Sequence, residues 1–253
     1  MDQLRKSFHS DLESVRTDIV RLAALVTEAL PRATEALLNG DLVVAQEIIN
    51  NDDELDLLSV EIEESCLRVL ALQNPMAGDM RAVVTAMKLN DEYERSGDLV
   101  VNICKGIRRI YGLELNPVLR GLIDQMGDEA TRLLRLSIDA YDEGNAGLAS
   151  ALDDMDDRLD DLQQAYIQAI FDDQHHDHEL TTQQAVQLAM VGRFYERLGD
   201  HAVNAGERIQ YMVTGTAPEH SAAARLAEAR AIGGRDLDSR NPGSDDPMGQ
   251  DTA

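Results

Sequence analysis

The sequence predicts an all-α protein: two tandem, pseudo-symmetric three-helix bundles built from six long helices, followed by a disordered C-terminal tail. Three observations predict it. Hydrophobic residues fill 43% of the 253 positions, yet aromatics supply only 4% and Trp none, a balance that favours packed helices over sheets. No segment alternates apolar and polar residues with the period of two that a half-buried strand needs. The chain also repeats itself. Glu94-Arg95-Ser96-Gly97-Asp98 returns 102 residues later, one substitution apart, as Glu196-Arg197-Leu198-Gly199-Asp200, with Tyr93, Val101 and Asn102 opposite Tyr195, Val203 and Asn204.

The helices follow in order. The first spans about Leu4 to Leu38, with Pro31 as a point for a bend and Asn39-Gly40 as the stop. Asp41 caps the second, which continues to about Leu72. Asn74-Pro75 reads as cap and first turn of the third, which ends near Gly112. Asn116-Pro117 opens the fourth in the same way, and Gly144 stops it. The fifth covers roughly Asn145 to Phe171, and the sixth starts at Thr181 or Thr182 and ends at Thr214-Gly215. Gly40-Asp41 matches Gly144-Asn145, and the run from Asp52 to Asp56 matches that from Asp156 to Asp160, both at an offset of 104. Short connections make neighbouring helices antiparallel. The expected domains are therefore 1–113 and 114–216, with an acidic tail at 217–253 that lacks the apolar content to order itself.

The net charge of −24 excludes a nucleic-acid surface, which needs clustered Lys and Arg, and disfavours adhesion to anionic lipid. The longest uncharged run, Leu180 to Gly192, is too short and polar for a bilayer span, and the charged N-terminus lacks a signal core. No membrane insertion and a cytoplasmic location are expected. Cys66 and Cys104 have neither ligand spacing nor a disulfide framework and read as small buried hydrophobes.

Four carboxylate pairs stand out: Asp52/Asp56, Glu94/Asp98, Asp156/Asp160 and Glu196/Asp200. Residues four apart share a helix face, about 6 Å apart along the axis. Each half carries one pair on its second helix and one on its third, and antiparallel packing would set them face to face. Such a patch repels itself and raises its own pKa values unless a cation neutralises it. Its oxygens are hard ligands, suited to magnesium, manganese, calcium or iron. Asp91 extends the first stripe by a turn, and Asn204 and Glu207 extend the second. Gly97 and Gly199 each cost about 1 kcal/mol in a helix interior, so something must approach the backbone there. Arg95 and Arg197 are placed to hold the carboxylates. The competing reading is a solvated acidic helix face.

Here the chain resembles the PhoU family of bacterial phosphate uptake. The resemblance rests on the two E-R-x-G-D repeats, on Asp200-His201-Ala202 followed by Asn204 and Glu207-Arg208, and on the terminal Tyr211-Met212-Val213-Thr214-Gly215, and it covers roughly residues 1–216. It implies paired three-helix bundles whose D/E-x-x-x-D motifs bind divalent or trivalent metal ions: iron, manganese, zinc or magnesium. It implies a homodimeric negative regulator linking the ATPase of a phosphate ABC transporter to a membrane sensor histidine kinase. Two positions depart from the even pattern. Asp91 has Arg193 as its counterpart, which predicts fewer ligands or a different number of ions in the second site, and Ser96 is polar where a large aliphatic residue is usual.

Other signals carry less. His175, His176 and His178 with Asp172, Asp173 and Asp177 read as a polar loop, and His201 points about 100° away from Asp200. No histidine follows a Glu by three positions, as a di-iron oxidase bundle requires, and no phosphate loop or His-Glu-x-x-His motif occurs. The expected function is a non-enzymatic regulator. A metal-dependent phosphohydrolase or oxidase on the same carboxylates is the alternative, and a metal-free helical adaptor the third reading.

Overall fold

The computed structural model describes residues 2–73, 75–175 and 180–216. Among these the chain forms six helices and no strand: α1 Asp2–Asn39, α2 Leu42–Gln73, α3 Gly78–Arg109, α4 Pro117–Glu143, α5 Ala146–His175 and α6 Thr182–Thr214. The expected tail lies outside the described residues, as do His176 and His178.

Most boundaries have the chemistry their sequence announces. Asp41 Oδ1 accepts from the amides of Val43 (2.9 Å) and Val44 (3.1 Å). Asn116 accepts from Leu119 N at 2.8 Å, with Pro117 in the first turn. Thr181 and Gln184 form a reciprocal capping box at the start of α6. Gly40, Gly144 and Gly215 take the positive φ that ends a helix. Pro31 lies inside α1, which continues through it. One start is corrected. α3 opens at Gly78 rather than at Asn74-Pro75, with Ala77 at the cap position (φ 49°) and no side-chain cap. Pro75 is buried, so tertiary packing rather than an Asn-Pro cap directs the chain there. α5 also runs four residues beyond Phe171, which places His175 in its last turn.

Helices α1, α2 and α3 pack on one another, and so do α4, α5 and α6. The halves are also joined, α3 against α6 and α1 against α4, so one apolar core draws on all six helices. α3 and α6 run antiparallel: Arg81 Nε donates to Met212 O (3.3 Å), Thr85 Oγ1 to Arg208 O (3.3 Å) and Arg109 to Gln187 (3.2 Å). The repeated tyrosines cross the seam. Tyr93 on α3 bonds Ser137 on α4 (3.0 Å), and Tyr195 on α6 bonds Thr34 on α1 (2.8 Å). Both are fully buried, and burial pushes both phenols far above their usual range.

Candidate functional site

The repeated carboxylates converge in both halves. In the first, burial raises the Asp52 pKa, and repulsion from Asp56 on its own helix and Asp98 on α3 adds to it. Burial likewise raises Glu94, helped by Asp98 and by Asp56 from across the interface, while Arg95 offsets part of the shift. Four side chains from two helices therefore feel one another, as antiparallel pairing requires. Asp91 adds to the repulsion on Glu94 and lies 3.8 Å from Lys88.

The second half is tighter. Asp156 is buried, and that burial, with repulsion from Asp160 and from Asp200 on α6, pushes its pKa up to about 7. Asp160 is raised by burial and by Asp200. Asp156 Oδ1 and Glu196 Oε2 are buried without any hydrogen-bond partner, a costly state for carboxylate oxygens. Arg193 faces the set, paired with Glu196 and 3.9 Å from Asp200. So the residue in Asp91's place is an internal counter-cation, and Arg193 rather than the motif's Arg197 makes these pairs.

The glycines have a physical cause. A Cβ at Gly97 would lie 2.8 Å from Leu55 Cδ1, and one at Gly199 would lie 2.8 Å from Leu159 Cδ2 and collide with Asp156 Oδ1. Leu55 and Leu159 are repeat counterparts, so each glycine admits the same leucine from the neighbouring helix. Only in the second half does it also admit a carboxylate.

Asn204 and Glu207 continue the α6 stripe, both half-buried. The Asn204 amide faces Glu92 Oε2 at 3.5 Å, at the α3–α6 seam. Glu92 also meets His201 Nδ1 at 2.6 Å, so His201 joins a buried polar cluster between the halves rather than the carboxylate set. Glu92 was not legible as a functional residue: its repeat counterpart is Phe194, and that of His201 is Leu99. Cys66 and Cys104 are buried, their thiols pushed up to about 11 and about 12 mainly by that burial, which makes them inert.

As placed, among the described residues, no group of three or more His, Cys, Asp and Glu side chains is arranged to hold a metal ion. The donor chemistry nevertheless fits one. Two orphaned carboxylate oxygens, and raised acids facing further carboxylates on the neighbouring helix, call for a proton or a hard cation. Among the described residues, no helix is long and apolar enough to cross a membrane.

Comparison with known proteins agrees with this architecture. The PhoU domain model matches twice, at residues 19–107 and 123–209. A phosphate-specific transport system accessory protein, PhoU homolog 2 of Mycobacterium bovis, is 32% identical over 216 residues, covering 85% of this chain and 100% of that protein. The PhoU homolog of Clostridium acetobutylicum is 31% identical over 83% of this chain and 96% of its own length. The crystal structure of PhoU from Pseudomonas aeruginosa superposes with a TM-score of 0.77 at 26% identity, over 83% of this chain and all of that one. The phosphate transport system regulatory protein PhoU of Streptococcus pneumoniae gives 0.75, also at 26% identity, over 83% and 98%. Two tandem copies of the domain, the superposition on solved structures and relatives aligned over nearly their full length lead to one conclusion: the chain belongs to the PhoU family.

Proposed function

We propose that this protein is a negative regulator of phosphate uptake and phosphate-starvation signalling, acting in the cytoplasm as a homodimer. It would contact the ATPase of a phosphate ABC transporter and a membrane sensor histidine kinase. As a member of the PhoU family it is an accessory protein, not an enzyme. The observation that carries the reading is the match of residues on both halves to phosphate-specific transport accessory proteins over nearly their whole length. The residues that would hold hard metal ions are Asp52, Asp56, Asp91, Glu94 and Asp98 in the first half. In the second they are Asp156, Asp160, Glu196 and Asp200, with Asn204 and Glu207 beside them. A bound ion would neutralise the mutual repulsion and fix α2 on α3 and α5 on α6, shaping the surface that partners read.

The test is a phosphate-responsive reporter in a deletion strain. The native chain should silence the reporter in abundant phosphate, and neutralising either carboxylate set should weaken silencing, with less than additive loss inside a set. If the native chain, folded and abundant, leaves the reporter fully active, the regulatory reading fails.

A further inference from the structure

A cavity of about 170 Å³ opens between α1, α2 and α3 in the first half, walled by Leu25, Ala29, Ile48, Leu55 and Val100 over the bare backbone of Gly97. It is also lined by Glu28 on α1, Asp52 and Glu54 on α2, and the cation Arg32, and Lys105 acts on Asp52 from nearby. Arg32 leans towards Glu47 at 3.4 Å and Arg21 meets Glu54 at 3.1 Å, and the acids around the opening, Glu47 included, still outnumber the cations.

The second half offers a comparison, because several positions 104 residues later carry different side chains. Ala29 corresponds to the fully buried Leu133, and the exposed Asn51 to Met155. Leu25 corresponds to Glu129, 4% exposed and paired with Arg132 and, at 3.7 Å, with Arg158. Those two arginines stand where the first half has Glu28 and Glu54, and Arg132 also reaches Met155 Sδ at 3.8 Å. At the positions of Ala29 and Asn51 the fold thus accepts larger apolar side chains, although Ala130 and Ala202 stand where the first half has Val26 and Val100. An unfilled apolar space forfeits contacts that a larger side chain would make.

We propose that this cavity is the docking site for a basic segment of a partner protein, which inserts one large apolar side chain between α1, α2 and α3. Lysines or arginines flanking that anchor lie against Glu28 on α1 and Glu54 on α2. The volume sets the anchor: a cavity of about 150 Å³ takes one benzene-sized group, so this one takes a single Leu or Phe side chain. The charges set the flanks. Acids on two helices around one apolar opening match several cations spaced along a chain, which a peptide supplies and a small amine does not.

The probe is acetyl-Lys-Lys-Leu-Lys-Lys-amide, titrated into the purified full chain and followed by methyl NMR. An alanine-centred version and a glutamate-flanked version are the controls. The leucine-centred basic peptide should bind about tenfold tighter than the alanine-centred one and shift the methyls of Leu25, Leu55 and Val100. The acidic peptide should leave them unmoved. Ala29→Leu, which copies the second half, should erase the tenfold preference without lowering the melting temperature, and the exposed-site change Asn51→Met should reduce it. Should Ala29→Leu fail to fold, Asn51→Met decides alone. Equal binding of the two basic peptides, or a preference untouched by both variants, overturns the proposal. So does benzylammonium entering the cavity where the leucine peptide does not, which assigns it to a small molecule. Peptide binding is read on the isolated protein, so it stands or falls separately from phosphate signalling.

Discussion

The two carboxylate sets are built from the same motif on corresponding helices of the two halves, α2 with α3 and α5 with α6, yet they balance their charge differently. In the first half Asp91 stands exposed beside Lys88, and the Asp52 and Glu94 carboxyls are raised although Lys105 and Arg95 offset part of the shift. In the second half Arg193 occupies Asp91's place and pairs with Glu196, while Asp156 sinks against Gly199 and is pushed up to about 7. The difference teaches that a duplicated site can keep its motif and change its electrostatics through a single position, Asp91 against Arg193. The second set holds Arg193 in a direct ion pair, so a bound cation is expected to add more to the first.

Metal titration should separate the halves most clearly. At about a hundredfold excess over the dissociation constant, a site-specific cation adds about 2.7 kcal/mol, or about 5–10 °C in Tm for a fold of this size. Glu94→Gln with Asp98→Asn should remove most of the rise seen with manganese or Fe(II) by calorimetry. Glu196→Gln with Asp200→Asn should remove less. Equal losses would mean that Arg193 moves aside for an ion.

Acidity distinguishes them next. A carboxyl whose pKa is raised on folding binds its proton more readily folded than unfolded. Its contribution therefore grows as pH falls from about 7 towards the ordinary carboxylate range and is lost as pH rises through about 7. Without metal, Asp156→Asn should flatten this slope and melt several degrees higher than the native chain at pH 8, whereas Asp52→Asn should change the curve less. A native melting temperature that is flat from pH 5 to 8 would count against the buried, unpaired Asp156.

Alanine at the two glycines gives a smaller contrast. Gly199→Ala should cost about 1–3 kcal/mol, because both Leu159 and the Asp156 carboxylate must move. At Gly97 only the flexible Leu55 must yield, and the gain in helix propensity of about 1 kcal/mol offsets much of that. Denaturant unfolding measures both. The smallest expected difference is between the tyrosines: Tyr93→Phe and Tyr195→Phe should each cost about 1 kcal/mol, since each breaks one buried hydroxyl bond of the same kind. Unequal costs would show that the seam is less symmetric than its geometry.

Local chemistry made much of this readable from sequence. Asn116-Pro117, Thr181 with Gln184, and Gly144 mark helix ends by satisfying backbone groups within a few residues, so the signal and its effect share one stretch of chain. Repetition exposed the paired carboxylates. What stayed hidden is what forms between helices from residues that differ in the two copies. Ala77 turns the chain into α3 without a capping side chain, and Glu92 finds His201 only across the seam. Glu129 looks like an ordinary surface acid until Arg158 arrives from α5, although a glutamate opposite Leu25 in the repeat was a visible oddity.

The crossed tyrosines make the chain a covalently tethered dimer of its own repeat. A single bundle would present one tyrosine hydroxyl and one Ser or Thr acceptor on the same apolar surface, each lacking its mate, and a second copy offers both. Cleaving the connection between α3 and α4, which includes the exposed Gly112 and Glu114, should therefore leave two fragments that co-purify. The link between the repeats then supplies mainly effective concentration, and the seam itself supplies the recognition.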